Sequence, residues 1–136
     1  MKNAIKVSCR KSNLTVVRDF VSSWLSERQI TGVMANQIVL AVDEACANSI
    51  IHQHQCDGVT QIEVGIYQKG STVHIEIKDK GQAFPIDSYQ PHAINEIIRK
   101  RNKGGMGIFL IRNIMDEIEV IQKKGYYIYK FAKHLA

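Results

Sequence analysis

Between Gln61 and Lys78 the chain alternates apolar and polar residues twice, interrupted once by Lys69-Gly70-Ser71. Ile62, Val64 and Ile66 alternate with Gln61, Glu63 and Gly65; Val73, Ile75 and Ile77 alternate with His74, Glu76 and Lys78. Two period-two runs around a glycine turn predict an antiparallel hairpin with one apolar face. That face has to be covered, and what covers it decides the fold. Three further strands read at Ile5–Cys9, Glu117–Gln122 and Tyr126–Lys133, the last two joined at Lys124-Gly125.

The cover is helical. Ser12 or Asn13 can cap a helix whose Leu14, Val17, Val21, Trp24 and Leu25 recur at three- and four-residue spacing. Gly32 is expected to close it. A second helix is expected from Met34 to His52, apolar at Ile38, Val42, Ala45 and Ser49, with Val39 and Cys46 beside that stripe. Residues 79–103 read as irregular, with Gly81, Pro85 and Pro91 and a short helix at Ala93–Arg99. After Gly107 a helix resumes through Ile108, Leu110, Ile111 and Ile114. The sum is an α+β, two-layer sandwich: three main helices on one face of a mostly antiparallel mixed sheet, a single domain over residues 1–136.

Composition narrows the class. A chain of 136 residues, 45% hydrophobic and 23% charged, buries enough surface to fold without disulfides. Three cysteines in no metal-type spacing imply reduced thiols, with Cys46 packed as a small apolar residue. No apolar run approaches the ~20 residues that span a bilayer, and the basic N-terminus has no apolar signal core. No membrane association and a cytoplasmic location are the expectations. A net charge of +5 implies an anionic partner of unspecified kind. The run Arg99-Lys100-Arg101-Asn102-Lys103 suits nucleic acid, a nucleotide triphosphate or plain solvent. No interleaved aromatics accompany it, so direct nucleic-acid binding is disfavoured.

Three segments can carry chemistry. Glu44 and Asn48 lie one helical turn apart on one face. An amide oxygen there can bind a hard cation such as Mg²⁺, and a carboxylate can deprotonate a hydroxyl; two surface residues would show the same spacing. Asp79, ending a strand before Lys80-Gly81, can accept from an exocyclic amine while Gly81 admits a planar ring, or can simply cap a turn. Gly104-Gly105-Met106-Gly107 opens a helix, where free N–H groups and the helix dipole cradle anions, unless the glycines are only a linker. It fits neither the Walker loop nor the dinucleotide fingerprint. His52 and His54, two apart on a helix, would diverge and make no metal pair.

In this order the segments resemble the ATP-binding boxes of the Bergerat-fold ATPases, and most nearly the anti-sigma-factor serine kinases of the RsbW and SpoIIAB type. Val42 to His52 is similar to the asparagine box, Lys78 to Phe84 to the first glycine box, and Gly104 to Arg112 with Met115-Asp116 to the second. The resemblance implies Glu44 as catalytic base and Asn48 as Mg²⁺ ligand. Asp79 would bind the adenine amine, with Gly81 beside the ring and Ala83 in the same box. Lys103, Gly104, Gly105, Met106, Gly107 and Ile108 would line the phosphates, with residues 99–103 in a lid. It further implies ATP/ADP and Mg²⁺ as cofactors, and phosphoryl transfer to a serine of a STAS-type anti-sigma-factor antagonist. A sigma factor or other regulator would be a second partner, and the chain a homodimer. The alternative is a regulatory module that binds nucleotide and switches partners without turnover. One departure stands out: where such proteins carry threonine after the last glycine turn, this chain reads Gly125-Tyr126-Tyr127. No upstream helix carries a phosphoacceptor histidine, so a complete sensor histidine kinase is not expected.

Overall fold

The computed structural model describes residues 2–79, 105–123 and 125–135, with backbone alone at 52–53 and 105–108. Strand β1 (Asn3–Ser8) leads into helices α1 (Asn13–Glu27) and α2 (Gly32–Ala47). A π-helical turn, Asn48–Gln53, continues α2. The hairpin β2 (Gln61–Lys69) and β3 (Thr72–Asp79) follows, then α3 (Gly105–Ile114), β4 (Glu117–Lys123) and β5 (Tyr126–His134). The expected helix at Ala93–Arg99 falls outside the described residues.

The sheet runs β1-β2-β3-β5-β4, and every pairing among the described residues is antiparallel. Its hairpin register pairs Lys69 with Thr72. Gly70 therefore takes the first central place of a two-residue turn, at φ +61°, where a side chain would be strained.

One face carries Val7, Ile62, Val64, Ile66, Val73, Ile75, Ile77, Tyr129 and Phe131, all buried in one core. Helices cover this face. The stripe expected on α1 is the observed one, Leu14, Val17, Val21, Trp24 and Leu25. Helix α2 contributes Ile38, Ala41, Val42, Ala45 and Cys46. Helices α1 and α3 both pack on α2. Burying each aliphatic side chain stabilises by about 1.5–3 kcal/mol, so this face outweighs local propensity. The opposite face is wetter: Lys2 pairs with Glu76 at 2.8 Å and Lys78 with Glu63 at 3.5 Å. Among the described residues no helix is long and apolar enough to cross a membrane.

Three local expectations change. Ser12 sits at the head of α1, but its hydroxyl caps nothing. The turn N–H groups of Asn13 and Leu14 bond Arg10 O and Lys11 O instead, and the Asn13 amide donates to Ser8 O. Gly32 opens α2 rather than closing α1; α1 stops earlier, at Glu27, and the chain turns away at Gln29 with φ +61°. Regular helix ends at Ala47, and His54 N–H reaches back five residues to Ser49 O. Such wide turns concentrate at functional sites.

The π-turn leaves a signature. Ser49 is fully buried and its hydroxyl has no hydrogen-bond partner among the described residues. Ser49→Ala removes an unpaired buried group and is expected to stabilise the fold by about 1 kcal/mol. Urea unfolding checks this as a higher midpoint at unchanged slope.

All three cysteines are free thiols, as expected, with Cys9 and Cys46 buried and Cys56 exposed. Burial, with Asp79 next, pushes the Cys9 thiol up to about 12.

Candidate nucleotide site

Helix α2 and its π-turn position the first pair. Asn48 is 4% exposed, and its Nδ2 donates to Glu44 O at 2.9 Å. The amide is thereby turned with its nitrogen against its own helix, and Oδ1 has no partner among the described residues. A hard cation takes oxygen of this kind. No group of three or more His, Cys, Asp or Glu able to hold a metal exists among the described residues. An ion at Asn48 would therefore depend on oxygens supplied by a ligand, as Mg²⁺ does at phosphates.

Glu44 is half-buried on the same helix. Burial raises its carboxyl above the ordinary range, and the neighbouring Asp43 adds to the rise. A carboxylate raised in this way is a stronger proton acceptor. Asp43 is itself tied to α1, since Arg18 Nη1 meets its Oδ1 at 2.8 Å. Arg18 also donates to Thr15 at 2.9 Å, so α1 braces the segment next to Glu44.

Asp79 ends β3 on the helix-covered face and is 2% exposed. A carboxylate so deep needs a donor. It finds one in His54, whose Nε2 stands 2.5 Å from Asp79 Oδ1. His54 follows directly on the turn that begins at Asn48. This one contact therefore joins the Glu44–Asn48 helix to the end of β3. It was not legible in the sequence, where His54 counted only as half of an unworkable metal pair. The partners lie 25 residues apart, and no spacing rule connects them.

A cavity of about 840 Å³ opens at this end of the sheet, within the range of small-molecule sites. Its described walls include Asp79, His54, Thr60, Ile62, Lys78 and Tyr126. Glu44 and Asn48 are not among them. Tyr127 is the cross-strand partner of Asp79 and packs, half-buried, against the core. Tyr127 thus stands across the strand from Asp79, and Tyr126 lines the same cavity.

Gly105, Met106, Gly107 and Ile108 form the first turn of α3. Their N–H groups have no intrahelical acceptors, and the helix dipole points its positive end there. Packing of α3 on α2 ties this turn's helix to the one bearing Glu44 and Asn48. Gly81, Ala83, Lys103 and Gly104 lie outside the described residues, as does the basic run.

Comparison with known proteins gives a consistent picture. The serine-protein kinase RsbW of Bacillus subtilis is 25% identical over 127 residues, covering 89% of this chain and 78% of that protein. The anti-sigma F factor of Geobacillus kaustophilus is 25% identical over 134 residues, covering 97% of this chain and 91% of that protein. Among solved structures, the RsbU and RsbW domains of a Mycobacterium tuberculosis protein superpose with a TM-score of 0.71 at 18% identity. The match covers 99% of this chain and 32% of that longer one. Residues 7–128 match the histidine kinase-like ATPase domain, and the chain belongs to that family.

Proposed function

We propose that the chain is an ATP-dependent serine protein kinase of the anti-sigma-factor type, acting as a single domain in the cytoplasm. The observation that carries this is the His54–Asp79 contact, which seats a buried acceptor carboxylate against the helix bearing Glu44 and Asn48. That contact supports reading a purine site at Asp79 beside a phosphate-transfer site at Glu44 and Asn48.

Each residue then has a task. Asp79 accepts the exocyclic amine of adenine, with Gly81 and Ala83 along the ring. The first turn of α3, Gly105 to Ile108, and the preceding Lys103 and Gly104 meet the phosphates. Glu44 accepts the proton of the attacking serine hydroxyl, a role its raised carboxyl suits. A Mg²⁺ ion held by Asn48 Oδ1 and the phosphates would supply charge neutralisation. The acceptor is a serine of an anti-sigma-factor antagonist, and a sigma factor is the second partner of a homodimer. The relatives named serine-protein kinase and anti-sigma factor support both roles.

The test is incubation of the purified chain with Mg-ATP and an antagonist of STAS type, followed by mass spectrometry. One phosphoserine on the antagonist is expected. Tight ATP binding with no transfer to any antagonist tried would reduce the chain to a nucleotide-dependent switch.

A further inference from the structure

A carboxylate that recognises one purine and rejects another must present a fixed acceptor. Asp79 has two oxygens, and the structure accounts for one. Oδ1 meets His54 Nε2 at 2.5 Å, with the two side chains only 2% and 10% exposed. No other hydrogen bond to Asp79 occurs among the described residues. Holding Oδ1 fixes the plane of the carboxylate, and Oδ2 is left as an oriented acceptor. An acceptor with no proton of its own suits a 6-amino purine and opposes the oxygen of a 6-oxo purine. The imidazole is well anchored for this purpose. Its backbone N–H bonds Ser49 O at 3.0 Å, which closes the π-turn, and its ring lines the cavity beside Asp79.

We infer that His54 is a positioning residue for base selection: by holding Asp79 Oδ1 it makes the site choose adenine over guanine. The inference rests on the proposed role of Asp79. A histidine that merely filled space would affect stability and leave base preference unchanged. A histidine that orients Asp79 controls the ratio of ATP to GTP affinity.

The experiment is titration of the full chain with ATP and with GTP, in wild type, His54→Leu, His54→Gln and Asp79→Asn. His54→Leu leaves the carboxylate free to turn, and ATP affinity should fall about 10–100-fold, the order of the cost when a buried charged acceptor loses its hydrogen-bond partner. GTP affinity should change much less, so the preference narrows. His54→Gln keeps an N–H donor and should restore most of the preference. In the wild type, the His54 ring ¹⁵N signals should shift on addition of ATP, a readout that does not depend on any variant folding. An unchanged ATP-to-GTP ratio in His54→Leu, with Asp79→Asn still losing ATP, overturns the inference and spares the nucleotide site. Ring signals indifferent to ATP in a wild type that binds it do the same. If Asp79→Asn binds ATP as the wild type does, the role of Asp79 falls and the inference falls with it.

Discussion

Glu44→Gln is expected to lower the rate of serine phosphorylation by about 10²–10⁴-fold, the range that a positioned general base contributes. ATP affinity should hardly change, because the glutamine keeps the size of the side chain and Asn48 is anchored to the Glu44 backbone rather than to its carboxylate. Stability supplies a control with a definite sign. The folded protein holds the Glu44 carboxyl above its ordinary value, through burial first and Asp43 second. The charged form is therefore the disfavoured one. Stability that the protonated form provides is present below the ordinary carboxylate range and is lost as pH rises through the raised value. At neutral pH the variant should melt no lower than the wild type, and any gain should vanish in acid. Rapid-quench phosphorylation, together with melting at pH 4 and pH 7.5, checks both halves. Equal rates in variant and wild type would remove Glu44 from the chemistry.

The second large effect is expected at Asn48. Asn48→Ala removes the oxygen assigned to the cation and the donor to Glu44 O. Binding of ATP in Mg²⁺ should weaken by at least the roughly 10–100-fold that loss of even an outer metal partner costs. The sharper readout is the effect of the ion. Wild type should bind ATP more tightly with Mg²⁺ than without it, and in Asn48→Ala that ratio should collapse toward one. Melting curves without nucleotide separate this from damage to the fold, since Asn48 is itself buried. A variant that retains the full Mg²⁺ effect would place the ion elsewhere.

What the sequence made legible was periodic. The α1 stripe from Leu14 to Leu25 and the hairpin from Ile62 to Ile77 were readable because burial imposes a period on the residues that satisfy it. The turn at Lys69-Gly70-Ser71 was readable from its glycine, although the register keeps Lys69 in β2 and leaves Gly70-Ser71 as the turn. The change from α-helix to π-turn after Ala47 was not readable, since Ser49 continues the stripe of Ile38, Val42 and Ala45 and Asn48 stays one turn from Glu44. Nor was the failure of Ser12 as a cap, because turn hydrogen bonds from Asn13 and Leu14 already take up two of the N–H groups at the head of α1.

The candidate site divides the same way. Glu44 and Asn48 could be paired from helix geometry, and Asp79 placed at a strand end, each from neighbours in sequence. Their relation to one another depends on His54 reaching Asp79, and the bracing of Asp43 on Arg18 reaching across from α1. Both are tertiary contacts, and no local pattern announces them. Tyr127 is an intermediate case: the missing threonine was visible, but its place opposite Asp79 follows only from the β3–β5 register.

The most direct test of the nucleotide site is calorimetric titration of ATP into the purified chain, with and without Mg²⁺, for wild type and Asp79→Asn. Saturable binding of one ATP per chain, tightened by Mg²⁺ and lost or severely weakened in Asp79→Asn, is the predicted result. No binding of ATP by the wild type, or binding that Asp79→Asn leaves untouched, would contradict it.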